Sequence, residues 1–333
     1  MSMNNSADSF YRGRKVLVAG GLGFLGSNLA RRLVELGSEV LVVDALRPNS
    51  GGNRANLKDI EDKLQIQIVD LRNIEDIAGL LPGHEAVFNL AGQVSHMDSM
   101  TDPVSDIGAN VHATIALLDA CRRHIPEARI VFASTRQVYG RPAHCPVDES
   151  HPLQPVDVNG VNKIAAESYH TLYHQVYGLQ TVSLRLTNTY GPRMRIKDAR
   201  QTFLGIWFRR VVEDGVFEVW GGQQKRDLSY VDDAVDAFLA AGALSNPKDR
   251  IFNLGGSPPV TLAELAESLV TIAGTGRFEI KEFPPALLRI DIGDYFADDR
   301  LFRNLTGWAP KVSLQEGLAR SVAYYRNCLS DYV

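Results

Sequence analysis

The sequence predicts an α/β protein, a doubly wound parallel sheet with helices on both faces, followed by a smaller C-terminal α/β lobe. Three observations predict it. Apolar strand-like runs alternate with helical periodicity five times in about the first 135 residues, a pattern that calls for a parallel sheet covered on both sides. The first run turns through spaced glycines into a helix, and the second ends in an acid.

The first run is Val16-Leu17-Val18-Ala19, and the turn is Gly20-Gly21-Leu22-Gly23-Phe24-Leu25-Gly26, leading into a helical pattern from Ser27 to Leu36. A strand, a tight turn and a helix N-terminus together make a site for a dinucleotide pyrophosphate, so the fold expected is Rossmann-type. Gly21-x-Gly23-x-x-Gly26 fits the common spacing and Gly20-x-x-Gly23-x-x-Gly26 a variant of it. One glycine allows the sharp turn, one lets backbone approach phosphate, and one lets the helix pack against the strand. Gly20, Gly23, Phe24, Leu25 and Gly26 are therefore candidate cofactor residues.

Glu39-Val40-Leu41-Val42-Val43-Asp44 is a second buried strand, and Asp44 falls 21 residues beyond Gly23. A carboxylate there accepts hydrogen bonds from the adenine-ribose hydroxyls and repels a 2′-phosphate, which favours NAD over NADP. Arg47 lies close enough to suit the phosphate instead. Gln65 to Asp70 is a third strand, again closed by an acid. Ala86 to Gly92 is a fourth, running into small residues that let a flat ligand lie against backbone. A helix is expected over Asn110 to His124, then a strand over Arg129 to Ala133 leading into Ser134-Thr135. The helix Asn162 to Tyr177 carries a wide apolar arc, explained by core packing or by a second covered face.

Strand Thr181 to Leu186 ends the regular alternation. From Gly191 the composition turns to Arg193, Arg195, Lys197, Arg200 and Gln201, where the second lobe is placed. Helices are expected over Thr202 to Glu213 and Tyr230 to Ala241, with short strands at Phe217 to Val219 and Ile251 to Leu254. Thr261-Leu262-Ala263-Glu264 matches a capping box, and Leu314 to Asn327 closes the chain as an amphipathic helix. The expected division is a cofactor domain at 1–190, completed by about 228–255, and a substrate lobe made of 191–227 and 256–333.

Composition bounds the function. A chain of 333 residues, 45% hydrophobic and 22% charged, is long enough for a large core and two lobes. Its formal charge of −4 gives no general attraction for nucleic acid or anionic membrane, so neither is an expected partner. Cys121, Cys145 and Cys328 are odd in number and far apart, which excludes a disulfide framework and gives no metal-ligand spacing. The stretch Met1 to Lys15 is polar and reads as a frayed leader without a signal-peptide core, and no apolar run is long enough to cross a membrane. A cytoplasmic location is expected.

At this point the residues resemble the extended short-chain dehydrogenase/reductase superfamily, in particular its NAD-dependent nucleotide-sugar epimerases and dehydratases, of the UDP-glucose 4-epimerase type. The matches run through Gly20 to Gly26, Asp44, Asp70-Leu71, Asn89 to Gln93, Asn110, Ser134-Thr135, Val138-Tyr139-Gly140 and Lys163. They continue through Arg185, Asn188 to Pro192, Arg226-Asp227, Tyr230 to Asp233, and Gly307-Trp308 with Pro310. The resemblance implies a firmly held NAD that takes a hydride from a sugar carbon, usually C4, and a keto intermediate re-reduced on its other face or first losing water or carbon dioxide. It places Asp70 and Leu71 at the adenine, and Leu90, Ala91, Gln93 and Asn110 at the nicotinamide. Lys163 holds the nicotinamide ribose, Thr135 sits beside the reacting hydroxyl, and Asn188 and Arg226 meet the sugar diphosphate. It also implies a homodimer that pairs the helices Asn110 to His124 and Asn162 to Tyr177 in a four-helix bundle.

One departure stands out. The family's general base is a tyrosine four residues before the lysine; here that position is Asn159, and no tyrosine occurs between Tyr139 and Tyr169. An amide cannot take a proton from a sugar hydroxyl at neutral pH. Three readings follow. His96, in the loop after the nicotinamide-side strand, supplies the base; or Tyr139 or Tyr190 reaches the same space; or the protein binds nucleotide sugar without redox turnover. The related 4,6-dehydratases carry Asp and Glu after the threonine, where Arg136 and Gln137 stand here, which argues against dehydration. Arg136 is a candidate partner for a sugar carboxylate, as in a decarboxylase or oxidoreductase on an acidic sugar, or for phosphate. Arg193 and the basic run through Arg200 are candidates for the diphosphate.

Overall fold

The structure is a computed structural model that describes residues 9–48, 50–256 and 258–333. Its centre is a seven-stranded parallel sheet. We name its strands β1 (Lys15–Ala19), β2 (Glu39–Asp44), β3 (Gln65–Ile68), β4 (Ala86–Asn89), β5 (Arg129–Thr135), β6 (Gln180–Leu186) and β7 (Ile251–Leu254). They lie in the order β7-β6-β5-β4-β1-β2-β3. The winding reverses at β1, which pairs with β2 on one side and β4 on the other. That reversal opens a crevice beyond the C-terminal ends of β1 and β4, where ligands of such sheets bind.

Successive side chains of a strand point to opposite faces, and the apolar strands here bury both. Val16, Val18, Val40, Val42, Phe88 and Val131 face one core, packed by helices α1 (Phe24–Glu35) and α4 (Val231–Ala243). Leu17, Ala19, Leu41, Val43, Val87 and Ile130 face the other, packed by α2 (Ala113–His124). β7 completes the sheet from the second half of the chain, as the apolar run at Ile251 predicts.

The differences from expectation have local causes. Residues 1–8 lie outside the described residues, but the rest of the predicted leader is not frayed: Tyr11 is fully buried and its hydroxyl donates to Leu239 O at 2.8 Å. β3 stops at Ile68, leaving Asp70 in a turn. A π-helical turn over Gly108–His112 precedes α2, so Asn110 lies ahead of the regular helix. Helix α3 runs over Val158–Tyr177, four residues earlier than the apolar pattern begins, because the Asp157 side chain caps it by accepting from Gly160 N at 2.6 Å. Asn and Gly have low helix propensity, and the cap overrides it. The capping box at Thr261 and Glu264 forms as predicted.

Three short ladders lie outside the central sheet, and of their strands only the one around Phe217 to Val219 is expected from the sequence. Asn188–Tyr190 pairs in parallel with Leu228–Tyr230, Val216–Trp220 with Arg277–Lys281, and Lys225–Arg226 pairs antiparallel with Val260–Thr261.

Below the crevice a buried ion pair joins α3 to β6. Arg185 donates to Glu167 through Nε at 2.9 Å and Nη2 at 2.7 Å. Ser134 of β5 also donates to Glu167, and Arg185 Nη1 donates to Tyr139 Oη at 2.8 Å. Removing one partner leaves the other charge buried without compensation. Glu167→Ala is therefore expected to destabilise the protein by about 3–5 kcal/mol, read as a lower urea midpoint at unchanged m-value; a loss below about 1 kcal/mol would show the pair to be dispensable.

Candidate active site

The crevice holds a cavity of about 470 Å³ lined by the glycine turn, Asp44, Asp70, Leu71 and the segment from Leu90 to Gln93. The turn is built for close approach. Gly20 has φ +75°, and a Cβ on it would lie 2.8 Å from the Ala91 backbone; one on Gly26 would lie 2.2 Å from Gly20 O. Gly23 caps α1 without a side-chain hydrogen bond, so the first N–H groups of the helix, at Phe24 and Leu25, face the cavity as donors for an anion. Gly21 does a different job, lying against the side chain of Val42, where a Cβ would come within 2.7 Å. The variant spacing Gly20-x-x-Gly23-x-x-Gly26 is thus the one that lines the cavity.

Asp44 accepts from Leu22 N at 3.1 Å and from Leu46 N at 2.9 Å. Burial pushes its carboxyl above the ordinary range against those two bonds. Arg47 is turned away from a phosphate role: its Nη2 is 2.8 Å from Asp70 Oδ2, which it shares with Arg72. The Arg72 and Arg47 guanidinium groups hold the Asp70 carboxyl far below its usual value. The glycine cradle that side chains would fill, the uncapped helix end and the carboxylate at the end of β2 fit a dinucleotide with free ribose hydroxyls.

On the nicotinamide side, Gly92 has φ +157°, and a Cβ there would lie 2.4 Å from Asn110 Oδ1 and 3.5 Å from Lys163 Nζ. Lys163 is buried and donates to Ala133 O at 3.0 Å. Burial pushes its ammonium down to about 8, with Asp106 and Glu167 opposing. Asp106 is a residue that sequence reasoning missed. Buried beside the cavity, it accepts from Asn110 Nδ2 at 3.0 Å and Asn162 Nδ2 at 2.7 Å, and Asn159 Nδ2 lies 3.4 Å from its other oxygen. Asn159 also donates to Gln93 O at 2.7 Å and is only 3% exposed. Its amide is therefore a strut between α3 and the loop after β4.

His96 lies next to this cluster. Its Nδ1 stands 2.9 Å from Asp157 Oδ2, and its Nε2 is 2.9 Å from Gln137 Nε2. The ring is not turned for an aligned hydrogen bond to Asp157, and we take the contact as electrostatic, since attraction at that separation survives misalignment. Burial works to raise the Asp157 carboxyl; the His96 ring, the Gly160 N–H and the Arg136 charge together outweigh it and leave it below the ordinary range. Gln137 N in turn donates to Thr135 Oγ1 at 3.2 Å, so Thr135, Gln137, His96 and Asp157 form one chain of contacts. Asp157, the helix cap, is a second residue the sequence reading passed over, although an Asp just before a helix is a recognisable signal.

The two tyrosines proposed as substitute bases are elsewhere. Tyr139 is buried with its hydroxyl held between Arg185 and Asn253, and burial pushes it up to about 12. Tyr190 is buried, donates to Leu314 O at 3.3 Å and is raised far above the phenol range by burial. Arg193 does not join the substrate candidates: it donates to Asn28 Oδ1 at 2.6 Å and lies over the Tyr324 ring. Arg195 and Arg200 of the same basic run line the cofactor cavity instead. Arg226 is buried at 5% exposed and its ion-pair partner is Asp291, at 3.6 Å, rather than the adjacent Asp227. Asn188 Oδ1 and Arg136 Nη1 are buried without a partner. Among the described residues no cluster of His, Cys, Asp and Glu could hold a metal, and no helix is long and apolar enough to cross a membrane.

Asp44→Ala should weaken NAD binding about tenfold or more, equivalent to ~1.4 kcal/mol, and narrow the preference over NADP. Titrating both nucleotides into the purified protein checks this, and an unchanged ratio would detach Asp44 from ribose recognition.

Comparisons agree with this geometry. The NAD dependent epimerase/dehydratase family matches residues 16–255. The UDP-glucose 4-epimerase of Mycolicibacterium smegmatis is 32% identical over 317 residues, covering 94% of this chain and 99% of that protein. UDP-glucuronic acid decarboxylase 1 of Arabidopsis thaliana is 30% identical, covering 94% of this chain and 70% of its own length. The structure of Thermus thermophilus UDP-glucose 4-epimerase in complex with NAD superposes with a TM-score of 0.82 at 30% identity, covering 94% of this chain and 99% of that one. With a Rossmann-type sheet, a glycine cradle and this breadth of likeness, the chain belongs to the NAD-dependent epimerase/dehydratase family of extended short-chain dehydrogenases/reductases, and its cofactor is NAD.

Proposed function

We propose that this protein is an epimerase acting at C4 of a nucleotide-diphosphate sugar, with His96 in the role that the missing tyrosine fills in the family. The observation that carries this reading is the arrangement around Asn159. Its amide is engaged by Gln93 O and lies beside Asp106, whereas the His96 imidazole, backed by Asp157, is linked through Gln137 to Thr135.

NAD, when bound in the glycine cradle, would supply the hydride acceptor and donor for the sugar carbon. The chain's own residues do the rest. Thr135 orients the reacting hydroxyl by hydrogen bonding, and His96 takes that proton as the carbon becomes a ketone and gives it back on re-reduction. With Nδ1–H toward the Asp157 carboxylate, the Nε2 lone pair accepts from the Gln137 amide, which turns aside when Nε2 takes the proton. Lys163 supplies a positive charge on the nicotinamide ribose side. Arg226 and Asn188 meet the diphosphate. Arg136 and Gln137 offer no carboxylate, so water elimination lacks its acid and base.

His96→Gln is expected to lower kcat at least about 100-fold while leaving NAD affinity unchanged, measured as C4 inversion of nucleotide sugars. Unchanged turnover would remove His96 from the chemistry. If the wild-type protein neither inverts nor oxidises any nucleotide sugar, it is a binding homologue that has lost redox turnover.

The homodimer belongs to the same reading. Val161, Leu172 and Val176 of α3 are exposed and fall within about 60° of one another around an ideal helix. Val104 and Ile107, just before α2, are exposed as well. An apolar stripe on a surface helix is a candidate for burial against a second copy. Light scattering should give a dimer for the wild type and a monomer for Leu172→Asp/Val176→Asp, with NAD still bound; a wild-type monomer would refute the bundle.

A further inference from the structure

Arg136 is the residue directly after Thr135, and its environment is unlike that of any paired arginine in the fold. Its side chain is buried, at 8% exposed, yet no carbonyl, hydroxyl or carboxylate accepts from its guanidinium, and Nη1 is fully enclosed. Its guanidinium lies over the ring of Tyr295, 5.4 Å from Cζ to the centroid. The Tyr295 hydroxyl is itself buried and unpartnered. Arg185, buried to a similar depth, has the opposite environment, with Glu167 on two of its nitrogens.

Neighbouring groups do not make up the deficit. Asp227 is buried, but its carboxylate accepts from Thr187 Oγ1 and from Ala297 N at 3.1 Å, and it forms no ion pair with Arg136. Arg226 adds a second buried cation, whose N–H groups go to Lys225 O, Gly293 O and the more distant Asp291. Burial and the Arg226 charge both press the Arg136 guanidinium down, to about 10. A buried cation with no acceptor is strongly unfavourable unless an anion completes it.

We infer that Arg136 anchors a subsite for a carboxylate borne by the sugar of the nucleotide-sugar substrate, with the Tyr295 hydroxyl as a further donor. The substrate class is then a nucleotide-linked uronic acid. This rests on the proposal that the protein takes a nucleotide sugar. The alternative source of the anion is the diphosphate, and two features favour the carboxylate. Arg136 follows Thr135 directly in the chain, next to the residue proposed to orient the reacting hydroxyl. A planar carboxylate also matches the two-pronged guanidinium face and keeps a lone pair for the phenol.

The test is binding to the NAD-loaded protein by calorimetry. UDP, dTDP, GDP, CDP and ADP are titrated first, and the glucose and glucuronate conjugates of whichever binds are then compared. The wild type should bind the glucuronate conjugate about tenfold or more tightly than the glucose conjugate. Arg136→Met should abolish that preference while leaving the free nucleotide and the glucose conjugate within about twofold. Tyr295→Phe, a change of one hydroxyl, should reduce the preference in the same direction and serves as the decisive variant if Arg136→Met fails to fold. Equal weakening of free nucleotide and both conjugates assigns the anion to the diphosphate and overturns the inference. No change in any ligand makes Arg136 a packing residue and overturns it too. Uronate binding without C4 inversion keeps the subsite and rejects the epimerase reading; inversion of neutral sugars with no uronate preference does the reverse.

Discussion

A carboxylate buried at Asp106 needs donors, and three asparagine amides are gathered around it. A buried polar group without partners is costly, so the positions of Asn110, Asn159 and Asn162 are set together rather than one by one. Two of these amides, those of Asn110 and Asn159, also reach Gln93 O, which fixes the loop after β4 against α3. Lys163 then sits with its ammonium on Ala133 O and the Asp106 charge nearby. The exchange of a tyrosine for Asn159 is therefore part of a network. An amide at this position holds the loop, and in the proposed function the proton chemistry is assigned to His96, which has the Asp157 carboxylate behind it.

The cofactor half of the site was legible because backbone and periodicity write it. A glycine that must take positive φ or admit another backbone atom within 3 Å leaves a mark in the sequence, as Gly20 and Gly26 do. So does Asp44 at the end of an apolar strand. The apolar runs announced the inner strands of the sheet and β7, because a strand buried on both faces is apolar throughout; β3, Gln-Ile-Gln-Ile at the exposed edge, was also expected but is not of that kind. Asp106, the contact of Asp157 with His96 and the partnering of Tyr139 were not legible. Each depends on residues tens of positions away, and an acid or phenol reads the same in sequence whether it caps a helix, bonds an amide or faces water.

Arginine is the residue type on which sequence reasoning separated least well. Arg47, Arg193, Arg195, Arg200 and Arg226 all looked like phosphate or substrate contacts. The fold distributes them differently: Arg47 to Asp70, Arg193 to Asn28, Arg195 to Asp198, Arg200 to Asp98 and Arg226 to Asp291. A long flexible side chain carries its charge far from its own backbone, so position in the chain says little about what it meets. What distinguishes Arg136 is the lack of such a partner.

The order of strands has a consequence for the order of synthesis. β6 is made with the first lobe, but its outer neighbour β7 arrives only with residues 251–254. Until then β6 presents a row of unpaired backbone groups along an apolar edge, the surface on which nascent chains pair wrongly with one another. Arg250 O, which bonds Ser183 N as β7 docks, is the first link of that closure. A ribosome that pauses before residue 251 leaves the six earlier strands, with the glycine turn among them, made while one edge of the sheet stays open.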